Sequence, residues 1–144
     1  MSRSKCGKPC VTTHLLDANA WIRLILSPGE LSARTHALLA TPGVRPCALS
    51  AISVWEVALK ARKGKINLRL PADEWLDLAL KRSLVAVLPV DAAIARAANT
   101  LPDVFHEDPA DRIVVATARV HNLTLVTSDE KILRYPHVQS FDTR

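Results

Sequence analysis

A three-layer α/β/α domain with a central, mostly parallel sheet is the fold this sequence predicts, and three observations carry it. Short apolar or β-branched runs alternate with longer segments of helical periodicity, the pattern of βα units laid into one sheet. The run Val85 to Leu88 shows little polar alternation, as a strand covered on both faces would. The chain has 144 residues, of which 49% are hydrophobic, enough for one compact domain whose core needs neither disulfides nor a structural metal.

In chain order, residues 1 to 10 read as a flexible leader and residues 11 to 144 as a single domain. Val11 to Leu16 is a short strand that stops at Asp17, and Ala18 to Leu26 carries helical periodicity up to the Ser27-Pro28-Gly29 break. A second helix, Leu31 to Ala40, ends at Thr41-Pro42-Gly43, and Pro46 to Leu49 is the next strand. Ser50 to Lys63 forms a helix with a wide apolar face, closed by Gly64. Ala72 to Lys81 is helical, with Asp73, Glu74 and Asp77 on a solvated face. After the strand Val85 to Leu88, Asp91 caps a small alanine-rich helix to Ala98. Asp108 and Asp111 open an amphipathic helix through Val120, Leu123 to Val126 reads as a buried strand, and Asp129 follows in the next turn. Ile132 to Phe141 adds a last edge strand whose start Pro136 blurs.

The 19 Lys and Arg against 14 Asp and Glu give a net charge of +5 and a pI near 9.4, a weak bias toward polyanions. Three cysteines, Cys6, Cys10 and Cys47, are an odd number in a chain of this size and indicate a reducing compartment. Cys6 and Cys10 with His14 match no zinc spacing and lack a fourth ligand. No apolar run approaches the roughly 18 residues of a membrane span, and no signal-type segment follows the basic N-terminus, so a cytoplasmic location is expected. Trp21, Leu24, Leu38 and Leu39 exceed what one sheet face readily covers, which predicts a symmetric homodimer.

Four acids carry the functional reading: Asp17, Glu56, Asp111 and Asp129. Each is read at a strand-to-helix transition or on the helix after one, so the carboxyl edge of the sheet gathers them where open α/β sheets bind ligands. Taken singly they have plainer readings, Asp17 as a helix cap and Glu56 as an exposed i,i+4 partner of Lys60. Four converging carboxylates repel one another and titrate upward. A hard divalent cation, Mg²⁺ or Mn²⁺, resolves that and suits an all-oxygen set better than zinc. Such a site polarises a phosphodiester oxygen and activates water, and Lys60, Arg62, Lys63 and Lys65 would hold the polyanion nearby.

The segments LLDANAWI, LSAISVWEVALKARKGKI, HEDPADRIVVATA and LVTSDEKI stand in the order and approximate spacing of PIN-domain ribonucleases, and the chain resembles the VapC-type toxins of bacterial toxin–antitoxin pairs over about residues 14 to 133. Each motif alone is weak; four in register are specific. The resemblance implies a PIN-like α/β/α fold, metal-dependent RNA cleavage, homodimerisation and a cognate antitoxin that docks near the active site. It makes Asp17, Glu56, Asp111 and Asp129 the metal-binding acids, with Thr127 and Ser128 orienting water or ligand and Asn19 a small polar neighbour of the first acid. Asp108 is then a cap or supporting group rather than a ligand, and Arg112 pairs with an acid or contacts phosphate. Two alternatives stay open: a catalytically silent α/β module that binds protein or nucleic acid, and a metal-dependent DNA nuclease, since metal-activated water needs no 2′-hydroxyl.

Overall fold

Period-two patterning in the three central strands builds the core from both sides of the sheet at once. The computed structural model describes residues 12–144, so the leader with Cys6 and Cys10 lies outside the described residues. The strands are β1 (His14–Leu16), β2 (Ala48–Ser50), β3 (Ala86–Leu88), β4 (Thr124–Thr127) and β5 (Ser140–Asp142), in the order β3-β2-β1-β4-β5. Every pairing is parallel. Leu16 aligns with Leu49 and Val126, and Leu15 aligns with Ala48 and Leu125. Because successive side chains point to opposite faces, these two rows found two separate apolar clusters.

The helices complete the outer layers: α1 (Ala18–Leu26), α2 (Ala33–Ala40), α3 (Ala51–Arg62), α4 (Ala72–Ser83), α5 (Ala92–Ala98), α6 (Pro109–Val120) and α7 (Glu130–Leu133), with a 3-10 turn at Pro28–Glu30. Trp21, Val57, Trp75, Leu76 and Ala79 cover the Leu16 row, whereas Ile94, Val114, Val115 and Ala118 cover the Leu15 row. The predicted three layers are therefore present. Helix starts follow capping chemistry: Ser32 Oγ accepts from Thr35 N at 3.2 Å, and Asp91 Oδ1 accepts from Ile94 N at 2.9 Å. At the far end of α3, Gly64 takes φ +73°, a left-handed position that a glycine occupies without strain.

Three expectations need correction. The strand at 85–88 is not covered on both faces: β3 is an edge, and Val87 is 44% exposed. The expected edge strand from Ile132 shrinks to Ser140–Asp142, because Asp129 caps a short helix at Glu130–Leu133. The apolar surplus on the N-terminal helices is not a surface patch, for Trp21 is fully buried and Leu39 nearly so, with Leu24 and Leu38 packed against the same cluster. Helix α4 supplies the missing cover. Its Trp75 meets Trp21 edge-on at 5.6 Å between ring centroids, and Trp21 Nε1 donates to Ser83 Oγ at 3.1 Å. The charged residues Asp73, Glu74 and Asp77 stay on the solvated side of α4, as expected, with Asp77 pairing to Lys81 at 3.0 Å.

Trp21→Ala removes a fully buried ring and orphans the Ser83 contact, so unfolding stability is expected to drop by about 3–5 kcal/mol. Urea denaturation checks this, and a loss under 1 kcal/mol would show that Trp21 does not anchor the α1–α4 layer.

Candidate functional site

Strand order determines where the acids meet. The chain leaves β1 toward β2 on one side and returns as β4 on the other, so β1 and β4 flank a switch point whose carboxyl end is open to a ligand. Asp17 is the first residue after β1, and Asp129 lies two residues after β4. Glu56 comes from the second turn of α3, which starts directly after β2, and Asp111 from the first turn of α6. Asp111 departs from the expected pattern, since α6 follows α5 and a loop rather than a strand. It reaches the same edge because α6 runs back toward β4 and so begins at the strands' carboxyl end.

All four acids line one cavity of about 30 Å³, together with Ala18, Asn19, Lys60 and Val114. That volume holds a guest about the size of one water. Among the described residues, no three His, Cys, Asp or Glu groups already stand close enough to enclose an ion. A larger concavity, about 840 Å³, lies elsewhere, between α3, the 66–71 connection and the start of α4. Its one acid is Asp73, so the acid chemistry belongs to the small cavity.

Asp17 is the most constrained of the set, being only 9% exposed. Its Oδ1 accepts from Ala20 N at 2.7 Å, capping α1. Its Oδ2 accepts from the Thr127 hydroxyl at the end of β4. That hydroxyl oxygen in turn accepts from Asp129 N at 3.0 Å, so one threonine joins the acids of both strand ends. Burial raises the Asp17 pKa, and the two hydrogen bonds only partly oppose it. Burial also lifts Glu56 to about 7, with the charge of Asp111 adding and that of Lys60 opposing. Asp111 rises to about 6, from burial first and then the charges of Asp108 and Asp129.

Of the neighbours, Asp108 keeps its sequence reading as a cap, while Lys60 and Arg112 depart from theirs. Lys60 does not pair with Glu56; its ammonium donates to Asn19 Oδ1 at 2.9 Å. Asp108 caps α6, accepting from Ala110 N at 3.0 Å and Asp111 N at 3.3 Å, and does not line the cavity. Arg112 pairs with none of the four acids. It braces the loop before α6 by donating to Ala98 O, Phe105 O and His106 O at 2.9, 2.9 and 3.2 Å. Ser128 accepts from Arg23 at 2.8 Å. Sequence reading assigned no role to His106, whose Nε2 stands 3.1 Å from Asp111 Oδ2 without the alignment of a hydrogen bond. Its signal was its place in the loop just before the Asp111 helix.

A parallel sheet of this order with four acids lining a cavity at its switch point defines an α/β domain with a candidate carboxylate site, and the comparisons narrow its class. The chain belongs to the PIN-domain family, which matches residues 14–138. It is 33% identical over 127 residues to ribonuclease VapC22 of Mycobacterium tuberculosis, across 88% of this chain and 95% of that protein. FitAcB from Neisseria gonorrhoeae is 27% identical with a TM-score of 0.67, covering 91% of this chain and 98% of that one. DNA-bound VapBC from Salmonella typhimurium shares the fold with a TM-score of 0.67 at 22% identity, over 92% of this chain and 99% of that one.

The raised carboxylates set a sign for pH. Folded metal-free protein keeps protons on Glu56 and Asp111 up to about 7 and about 6, whereas ordinary carboxyls release them near 4.5 and 3.8. Between those limits the folded state binds more protons than the unfolded chain, so this cluster's contribution to stability falls as pH rises. Above about pH 7 the penalty is complete. Glu56→Gln is expected to flatten the decline between pH 4.5 and 7 in chelator-treated protein. Superimposable pH–stability curves for the two proteins would disprove the coupling.

Proposed function

We propose that the chain is a metal-dependent endoribonuclease acting as the toxin of a type II toxin–antitoxin pair. The observation that carries this reading is the single small cavity lined by Asp17, Glu56, Asp111 and Asp129, in which, among the described residues, no lysine or arginine pairs with any of the four acids. The donor set fits a hard divalent cation, because every ligand is a carboxylate oxygen, the charges repel, and Mg²⁺ or Mn²⁺ is commonly held by one or two carboxylates with waters completing its shell. When bound, that cation polarises the phosphodiester and makes water nucleophilic near neutral pH.

The chain's own residues do the rest. Asp17 and Asp129 fix the strand-end side of the site through Thr127, and Glu56 and Asp111 close it from α3 and α6. Arg62, Lys63 and Lys65 stay exposed at the end of α3, and no ion pair among the described residues engages them. They would give the backbone of a single-stranded RNA a cationic path along the end of the helix that carries Glu56 and Lys60. RNA as substrate and an antitoxin as partner rest on the likeness to VapC22 and to the family. Self-association belongs to the same proposal on that likeness, no longer on Trp21 or Leu39. Light scattering that gave a monomer mass at micromolar concentration would remove it.

Asp17→Asn and Asp111→Asn are the decisive variants. Asn still accepts from Ala20 N at position 17, and loss of a charge relieves repulsion, so both should fold with an undiminished melting temperature in chelator. Mn²⁺-dependent RNA cleavage should fall at least about 100-fold, while RNA binding, which draws on Arg62, Lys63 and Lys65, persists. Full cleavage by either folded variant would reject that residue as a ligand, and a wild type active without metal would reject the mechanism.

A further inference from the structure

Among the described residues Lys60 is the one cation that lines the acid cavity, and its position differs from that of the other basic residues of α3. Helical spacing offers it Glu56 one turn back, yet no carboxylate lies within ion-pair distance of its ammonium. The nitrogen donates instead to the neutral Asn19 Oδ1 at 2.9 Å, across the cavity mouth on the first turn of α1. An ammonium has three donors, and this contact uses one.

We infer that Asn19 holds Lys60 away from Glu56 so that its ammonium meets a non-bridging oxygen of the scissile phosphate on the α1–α3 side of the cavity. Lys60 is then a catalytic residue and Asn19 a positioning residue. The charge logic follows from the site. Four acids are suited to a divalent cation but repel the phosphodiester that must approach it. A fixed ammonium beside them offsets that repulsion where negative charge grows on the phosphoryl oxygens. Tied to a carboxylate, the same ammonium would be neutralised and the acid lost to the cation. A neutral amide anchor avoids both outcomes.

The inference rests on the nuclease reading, and the test separates their failures. Mn²⁺ alone is titrated by calorimetry into chelator-treated wild type, Lys60→Met, Lys60→Arg and Asn19→Ala. A labelled single-stranded oligoribonucleotide of mixed sequence is then bound in Ca²⁺ and cleaved in Mn²⁺. Lys60→Met should keep its Mn²⁺ affinity within about twofold of wild type yet lose about 100-fold in kcat. Lys60→Arg should recover part of that loss, because the charge returns. Asn19→Ala should lose about tenfold in kcat, with oligoribonucleotide affinity in Ca²⁺ little changed, because the ammonium persists but drifts toward Glu56. Wild-type cleavage by folded Lys60→Met would overturn the inference. A fall in Mn²⁺ affinity as large as the fall in kcat would also overturn it, since the lysine would then serve the acids and not the phosphate. A wild type that neither binds Mn²⁺ nor cleaves would defeat the nuclease reading itself and this assignment with it.

Discussion

A carboxylate buried at the junction of two parallel strands is the constraint from which the rest of the molecule follows. Asp17 leaves β1 at the point where its backbone N–H still bonds to Val126 O of β4 at 3.2 Å, and its carboxylate is held inward by the Ala20 N–H and the Thr127 hydroxyl, so swinging out to water would break both side-chain bonds. Hydrogen bonds from Thr127 and Ala20 favour its ionised form. Desolvation nevertheless dominates, and the pKa stays raised. The hydrogen bonds therefore orient the group more than they stabilise its charge. A buried carboxylate in that condition gains from a cation that its neighbours do not supply.

Capping does not exhaust a carboxylate at this edge. Asp17 and Asp129 are both N-caps, each using Oδ1 to accept a backbone N–H, from Ala20 at 2.7 Å and Lys131 at 2.9 Å. A carboxylate has about four lone-pair sites, so capping leaves acceptor capacity free. The cap also fixes the side chain against a helix start, and helix starts collect at the carboxyl edge of a parallel sheet. Asp91 and Asp108 cap equally well and do not line the cavity. What separates the pairs is where the preceding strand lies: β1 and β4 flank the switch point, whereas Asp91 follows the edge strand β3 and Asp108 follows a loop. Strand order is non-local information, which explains why residue type and spacing alone left Asp17 balanced between two readings.

The same reasoning accounts for what was legible elsewhere. Helix limits such as Ala18–Leu26 could be read because periodicity, caps and breakers are local signals. The edge status of β3 could not, since an apolar run reports burial on some face but not which neighbours pair with it. Trp21 misled for a related reason: α4 is only modestly apolar and carries Asp73, Glu74 and Asp77, yet its Trp75, Leu76 and Ala79 cover α1's side of the core. The four acids stand out through motif order, while the bond from Thr127 to Asp17, which ties Asp17 to Asp129, spans 110 positions and leaves no local trace.

Lys60 shows how a weak local rule yields to a cross-chain contact. An exposed i,i+4 pair with Glu56 would contribute only about 0.2–0.5 kcal/mol, so a single well-placed amide on α1 suffices to draw the ammonium elsewhere. The consequence for Glu56 is large by comparison. With Lys60 turned to Asn19, its charge only partly opposes burial and the charge of Asp111, which hold the Glu56 pKa at about 7. Pairing Lys60 with Glu56 would relieve that repulsion and blunt the demand for an external cation at the same time. The fold instead leaves the acids mutually repelling where strand topology opens the sheet, so the crowding that lowers metal-free stability is the same crowding that the proposed divalent cation would relieve.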